Sequence, residues 1–239
     1  MIFSIHQPNF IPWIGYFHKV LSSDKVILFD SVQISSGKSY TTRVKILFNG
    51  EERWLTIPVK KAGNSGQKIC ETELLDFKHN WRKNLGTIRQ AYLKSPFFKE
   101  IFPILESHLE VDYELLCDFN INLIKQITKL LSDKDIEFLR TSSNPQLMTS
   151  EKRQTDYIIE TCQHFGVVNY LSGKGGSSEF LELEKFEKNG IHISFQKFTH
   201  PVYKQIGNEK FCLGMSIIDM LMNVGVSESA NLLKSNYSI

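Results

Sequence analysis

The hydrophobic pattern at the start of the chain predicts a strand, a helix and a second strand. Residues 2–5 form a short, mainly apolar run closed by the polar His6-Gln7-Pro8, which is typical of a strand ending in a loop. From Pro12 onward apolar residues recur at helical spacing, and the apolar run 26–29 predicts a second buried strand ending at Asp30. This order within about thirty residues indicates a βαβ unit with parallel strands.

The next segments predict a β-hairpin and then a block of helices. Residues 42–48 alternate between apolar and polar, Asn49-Gly50 is a strong two-residue turn signal, and residues 53–59 return as a strand. From about residue 80 to residue 132 the apolar period becomes helical. Because no repeat or clear linker interrupts the chain, we expect one domain over 1–239 of the α/β class. It would contain a single mixed sheet that starts with the βαβ unit, a β-hairpin, and a central helical block.

Composition and charge narrow the functional classes. The net charge of +2 lacks the basic excess that phosphate backbones attract, so we expect no DNA partner. No apolar run reaches the roughly 20 residues of a membrane span, and the first residues do not resemble a signal peptide, so we expect a cytoplasmic protein. The 7 histidines and 4 cysteines show no metal-ligand spacing and no disulfide framework. We therefore expect no required cofactor or metal.

Polar side chains follow both strands of the predicted βαβ unit. His6 and Gln7 come after the first strand, and Asp30 comes after the second. Ligands of parallel sheets collect at the carboxyl ends of the strands, so a site is expected here. A histidine beside a carboxylate can act as a general base, because the carboxylate fixes its tautomer and stabilises the imidazolium. His6 and Asp30 are therefore candidate catalytic residues, although His6 could equally serve only to satisfy backbone groups at the strand end.

A glycine-rich segment is a candidate for anion binding. Ser172-Gly173-Lys174-Gly175-Gly176 follows a predicted buried strand at 167–171 and precedes a predicted helix. Glycines there let backbone N–H groups approach an anion, and Lys174 adds a positive charge. The segment matches neither a dinucleotide-binding fingerprint nor a P-loop, and it could be a plain tight turn.

Two further segments carry candidate substrate-binding residues. The run after Asp30 passes through Gln33 and leads to Arg43, whose guanidinium could clamp a carboxylate or phosphate, or could form an exposed salt bridge. Tyr203 and Gln205 follow a predicted strand at 191–198 and could orient a sugar, unless the segment is only a shaped turn.

Long stretches of the chain match one known pattern. The opening run reads His6-Gln7-Pro8-Asn9-Phe10-Ile11-Pro12-Trp13-Ile14-Gly15-Tyr16-Phe17. The further matching segments are Asp30-Ser31-Val32-Gln33, Arg43, Trp54 to Val59, Ala91 to Phe98, Tyr170 to Gly173, Pro201 to Gln205, Ser216 to Asp219 and Asn223 to Gly225. Together these residues resemble the WbqC-like protein family over nearly the whole chain. One departure concerns the glycine-rich loop: relatives often have an aromatic residue after it, and here Phe180 follows Ser177-Ser178-Glu179.

The resemblance implies a role in the biosynthesis of bacterial O-antigen, the lipopolysaccharide side chain, or of another surface polysaccharide. It carries over no established catalytic residue. The implied activity is that of an acyl or aminoacyl (glycyl) transferase acting on an amino sugar, which we expect to be linked to a nucleotide. The donor stays open among acyl-CoA, an acyl-carrier protein and a charged tRNA. The alternatives are a non-catalytic protein that binds a sugar intermediate of the same pathway, and a nucleotidyl-type transferase or hydrolase.

Each candidate residue has a place in the transferase hypothesis. His6, supported by Asp30, would take a proton from the sugar amine as it attacks the acyl carbon. Neighbouring amides would stabilise the developing oxyanion or bind substrate, namely those of Gln7, Asn9 and Gln33. The diphosphate would be held by Arg43 and the glycine-rich loop, including Gly173, Lys174 and Gly175. The sugar would be oriented by Tyr203 and Gln205.

Overall fold

The computed structural model describes residues 1–35, 39–60, 66–174, 181–207 and 210–235. Along the chain the elements are β1 (Ile2–His6), α1 (Ile14–Leu21), β2 (Lys25–Leu28), β3 (Arg43–Phe48), β4 (Glu51–Thr56), α2 (Phe77–Tyr92), α3 (Phe98–Glu106), α4 (Leu116–Leu131), β5 (Glu137–Arg140), α5 (Pro145–Thr149), α6 (Gln154–His164), β6 (Asn169–Ser172), α7 (Leu183–Lys188), β7 (His192–Phe195) and α8 (Ile217–Lys234). No helix in these ranges has an apolar stretch long enough to cross a lipid bilayer.

A five-stranded parallel sheet in the order β5-β2-β1-β6-β7 forms the centre of the fold. The α/β class, the βαβ start, the hairpin and the central helices are confirmed. The prediction of a single mixed sheet is wrong, because β3 and β4 pair only with each other as a separate antiparallel sheet. The apolar side chains of the hairpin, such as Val44, Ile46 and Leu55, are buried in the main core, and its backbone joins no edge of the parallel sheet.

The two faces of the parallel sheet are buried in two different cores. Successive side chains of a strand point to opposite faces. Val26 and Leu28 of β2 therefore join the larger core, which includes α1 and the helical block, whereas Ile27 joins a smaller core with residues of α6 and α7. With both faces covered, the sheet is accessible to a ligand at the ends of its strands.

The loop between β1 and α1 is fastened to distant parts of the chain. The Asn120 side chain of α4 donates to the backbone carbonyl of Pro8 (2.9 Å). The Ser216 hydroxyl donates to the carbonyl of Ile11 (2.8 Å), and the backbone N–H of Ile217 donates to the carbonyl of Pro12 (2.9 Å). Helix α1 follows directly, and all of its residues are buried. Its polar side chains must therefore find their contacts inside the protein.

Candidate functional site

A cleft of about 970 Å³ opens at the carboxyl end of β1. This volume suits a small-molecule ligand, since such pockets span roughly 300 to 1,000 Å³. The residues that line it come from the loop after β1, from α1, from the hairpin region and from the ends of β6 and β7. They include His6, Asn9, Trp13, Gly15, Tyr16, Lys19, Tyr40, Lys45, Gly173, Lys174, Gln196, Lys197 and Phe198.

The charged side chains that line the cleft are basic. Among the described lining residues there are four lysines and neither an aspartate nor a glutamate. Lys45 is paired with Glu52 at 2.5 Å. Lys174 and Lys197 are exposed, and no acidic side chain in the described part of the chain forms an ion pair with either of them. A cleft with one sign of charge concentrates ligands of the opposite sign, so this cleft favours an anion.

His6 is the last residue of β1 and presents its imidazole to the cleft. Its ring packs against the ring of Tyr16, with 4.3 Å between the centroids, and its Nδ1 lies 3.2 Å from the carbonyl oxygen of Gln7. Burial, followed by the positive charge of Lys19, holds the pKa of His6 well below its usual range. The imidazole is therefore neutral near pH 7. With a proton on Nδ1 donated to Gln7, Nε2 keeps a lone pair that can accept a proton.

Lys19 was missed by the sequence analysis and is the main addition to the site. Its side chain is buried, and its Nζ donates to the carbonyl of Ile5 at 3.1 Å. Burial lowers the pKa of Lys19 to about 7, so a large share of the amine is uncharged at neutral pH. The sequence holds one signal for it, which is a lysine within a short and mostly apolar predicted helix.

Three further polar side chains complete the lining. Gln196 follows β7, and its Nε2 donates to the carbonyl of Gly15 (2.8 Å) and lies 2.7 Å from Nδ1 of His18. The hydroxyl of Tyr16 and the Oδ1 of Asn9 are buried and have no hydrogen-bond partner among the described residues. Burial raises the pKa of Tyr16, so its hydroxyl stays protonated and is available as a donor.

The predicted pairing of His6 with Asp30 is not formed. Asp30 is fully buried, and its carboxylate accepts hydrogen bonds from Arg140 Nε (2.7 Å), Thr141 Oγ1 (3.1 Å), and the backbone N–H (2.8 Å) and hydroxyl (2.7 Å) of Ser142. The physical reason is strand order, because β5 lies on the far side of β2 and its end supplies all these donors. Asp30 stabilises the neighbouring strand end, and within the described ranges no hydrogen bond or ion pair joins it to His6.

The remaining predicted residues divide between the cleft and other places. The structure brings Asn9, Gly173 and Lys174 together with His6 in the lining of the cleft. Gly175 lies outside the described residues. Gln7 contributes its backbone carbonyl to His6, and Gln33 is exposed and forms a β-bridge with Lys68.

Arg43, Tyr203 and Gln205 are engaged elsewhere, so their predicted substrate contacts are not found in the cleft. The guanidinium of Arg43 lies over the ring of Trp54, 3.9 Å from its centroid. The Tyr203 hydroxyl and the Gln205 amide are buried and donate to the carboxylate of Asp219, at 2.7 and 2.8 Å. They stabilise a buried acid at the start of α8.

In the described ranges, no three histidine, cysteine, aspartate or glutamate side chains come together as a set of metal ligands. Burial raises the pKa of Cys117 and of Cys162 to about 12, so both thiols are protonated and weakly nucleophilic. The chemistry of the cleft rests on imidazole, amine, amide and phenol groups.

Comparisons with known proteins agree on one family. The model of the WbqC-like protein family matches residues 7–231, a range that includes the loop after β1, α1, the hairpin and the ends of β6 and β7. The uncharacterized protein Rv1507c of Mycobacterium tuberculosis is 28% identical over 228 residues, which is 93% of this chain and 93% of that protein. No solved structure matches the chain.

Proposed function

This chain belongs to the WbqC-like protein family, and we propose that it transfers an acyl or aminoacyl group, such as glycyl, to a nucleotide-linked amino sugar. The pathway would be the biosynthesis of O-antigen or another bacterial surface polysaccharide. One observation carries the proposal. The cleft at the end of β1 combines lysine side chains, without a carboxylate among its described lining residues, with two nitrogen bases of lowered pKa, a neutral His6 and a partly uncharged Lys19.

The charge of the cleft suits the diphosphate of a nucleotide sugar. Lys174 and Lys197 are exposed, line the cleft and have no acidic partner in the described ranges, so their ammonium groups are available to phosphate oxygens. The backbone at Gly173, at the end of β6, lies beside them and close to Lys19. Binding an anion here would also raise the proton affinity of the two bases, because it adds negative charge nearby.

The uncharged bases suit acyl transfer to an amine. The amino group of the sugar attacks the carbonyl carbon of a thioester or ester donor, a carbon–nitrogen bond forms, and the amine loses a proton to Nε2 of His6. Lys19, adjacent and partly neutral, is a second acceptor for that proton. The carbon–sulfur or carbon–oxygen bond of the donor then breaks, and the proton passes to the leaving thiolate or alkoxide. The Tyr16 hydroxyl is a donor for the oxyanion.

The test is to incubate the protein with nucleotide-linked amino sugars and, separately, acyl-CoA, acyl-carrier protein and aminoacyl-tRNA donors. Mass spectrometry should detect the sugar nucleotide with the added acyl mass. His6→Ala should lower kcat by about 100-fold or more, since a general base contributes 10²- to 10⁴-fold. His79→Ala, which changes an exposed histidine of α2, is the matched control.

Two results would contradict the proposal in different ways. Full activity of His6→Ala would show that His6 is not the base, while the transfer activity itself would stand. Tight binding of nucleotide sugars without product from any donor class would instead favour the alternative of a non-catalytic protein that holds a sugar intermediate.

A further inference from the structure

Trp13 presents an exposed indole at the cleft immediately before a fully buried helix. The side chain is 38% exposed and lines the cleft. One side of the ring packs on the backbone of Gly15, where an added Cβ would lie 2.3 Å from the indole. The ring also meets Phe198 edge-on, with 5.5 Å between centroids and an interplanar angle of 86°. Glycine is therefore needed at position 15 for this placement of the ring.

The backbone of Trp13 is fixed as firmly as its ring. Trp13 forms a β-bridge with Ser216, and the carbonyl of the preceding Pro12 accepts a hydrogen bond from Ile217 at 2.9 Å. The imidazole of His200 lies nearly parallel to the indole, at an interplanar angle of 28° and a centroid distance of 6.4 Å. An aromatic ring that is both exposed and held in place loses little entropy when a planar group stacks on it.

The surroundings of Trp13 indicate what that planar group is. Tyr40, a second exposed aromatic residue, lines the same cleft. Lys197 lines the cleft next to Phe198, the residue that supports the indole, and Lys174 also lines it. A ligand that uses these features needs a flat ring and an anionic group in one molecule. Nucleotides have both, and aromatic side chains are common stacking partners of their bases.

We propose that Trp13 is the stacking platform for the nucleobase of a nucleotide whose phosphates lie toward Lys174 and Lys197. The inference rests on the proposed function and deepens it, because it assigns the base of the nucleotide-linked substrate to one wall of the cleft. It also gives Gly15 a role, which is to leave room for the indole to pack against α1.

Isothermal titration calorimetry with the full chain tests the assignment. The probes are the diphosphates of uridine, thymidine, cytidine, adenosine and guanosine, together with ribose 5-phosphate and inorganic pyrophosphate, which carry charge but no base. At least one nucleoside diphosphate should bind about 10-fold or more tighter than the two probes without a base. Trp13→Leu should weaken that nucleotide by about 10- to 100-fold and leave the Kd of pyrophosphate unchanged.

Two further variants separate stacking from folding. Gly15→Ala keeps the indole but displaces it, so it should also weaken the nucleotide and spare pyrophosphate. Leu93→Ala, which changes an exposed apolar side chain (59%) outside the cleft lining, should change neither Kd. In a Trp54→Leu background the nucleotide should quench tryptophan fluorescence, because the remaining Trp81 is fully buried. Circular dichroism verifies that each variant is folded.

The outcomes distinguish this inference from the proposed function. Two results would overturn the role of Trp13 as a stacking platform and leave the anion-binding cleft supported. In one, pyrophosphate binds and no nucleotide binds more tightly. In the other, Trp13→Leu weakens the binding of all probes equally. If Trp13→Leu weakens ribose 5-phosphate as strongly as the nucleotide, the indole contacts the sugar and the assignment of the base is wrong. If no phosphate-bearing probe binds the wild-type protein, both proposals fail.

Discussion

The ends of β1 and β2 lie side by side in the sheet, and both carry polar residues that the sequence analysis combined into one site. At the end of β2, Asp30 is buried and all its hydrogen bonds are made inside the protein, chiefly with Arg140 and Ser142. At the end of β1, a neutral His6 and a partly uncharged Lys19 lie at a cleft. The difference teaches that polarity at a strand end is a weak guide to function. What separates the two ends is that the Asp30 carboxylate is enclosed by its protein partners, whereas His6 and Lys19 line a cleft and have lowered pKa values.

Asp30→Asn should have the largest effect on stability. The new side-chain amide nitrogen would face hydrogen-bond donors such as the Ser142 hydroxyl. The guanidinium of Arg140 would lose Asp30, its fully buried ion-pair partner. Removing one partner of a buried pair costs about 3 to 5 kcal/mol, so the free energy of unfolding should fall by about that amount. Urea denaturation followed by circular dichroism measures it.

The matched control is Asp118→Asn. Asp118 pairs with the same guanidinium, but its side chain is 41% exposed, so its loss should cost less than about 1 kcal/mol. Equal losses of unfolding free energy in the two variants would contradict the view that the residues at the end of β2 form a buried structural cluster, in contrast to those at the end of β1.

Lys19→Met should change the pH dependence of stability. The pKa of Lys19 is about 7 in the folded protein and has the ordinary, higher lysine value in the unfolded chain. Between these two values the unfolded chain binds one more proton, so this group makes the wild-type protein more stable as pH rises from 7 toward 10, with no further change below 7. The variant lacks this contribution.

Urea denaturation of both proteins at pH 7.5 and pH 9.5 measures the effect. The free energy of unfolding of the wild type relative to Lys19→Met should rise by about 2 to 3 kcal/mol between them, since one pKa unit is worth about 1.4 kcal/mol. Lys99→Met, which removes an exposed lysine of α3, should show the same pH dependence as the wild type. A relative stability of Lys19→Met that is independent of pH would show that the amine is charged in the folded protein.

Tyr16→Phe should have the smallest effect on stability and a clear effect on activity. The Tyr16 hydroxyl is buried without a partner among the described residues, so its removal should change the free energy of unfolding by less than about 1 kcal/mol. Tyr203→Phe is the matched comparison, because that hydroxyl donates to the buried Asp219, and its loss should cost about 1 to 3 kcal/mol. Under the transferase hypothesis Tyr16→Phe should still lower kcat in the acyl-transfer assay. A large loss of stability would place Tyr16 with the structural residues.

Local patterns predicted much of the architecture. The Asn49-Gly50 turn is a good example, since both residues adopt positive φ angles (52° and 81°), as the tight hairpin turn requires. The apolar run before His6 and the one before Gly173 marked two strands whose carboxyl ends meet at the cleft. These features could be predicted from the sequence because each depends on residues that are neighbours in the chain.

The hydrogen-bond partners of the candidate residues could not be predicted in this way. Asp30 was assigned to His6 because nothing in the local pattern indicates that β5, more than 100 residues later, pairs with β2 and supplies Arg140. Likewise the donation of Tyr203 to Asp219 depends on how α8 packs. Lys19 belongs to the site because α1 is buried on all sides. That burial results from how the helix packs and could not be predicted from its length. Long-range packing therefore determined which polar residues remain open to a ligand.

The bond between Ser216 and the carbonyl of Ile11 joins residues 205 positions apart in the chain. During synthesis on the ribosome, the loop that carries Asn9 and Trp13 therefore emerges long before α8, which supplies its last hydrogen bonds. Contacts of such sequence separation form late and slow the folding of a domain. The cleft is thus completed only after residues 216 and 217 have been synthesised, and a nascent chain that lacks them would have no finished site with which to capture a substrate.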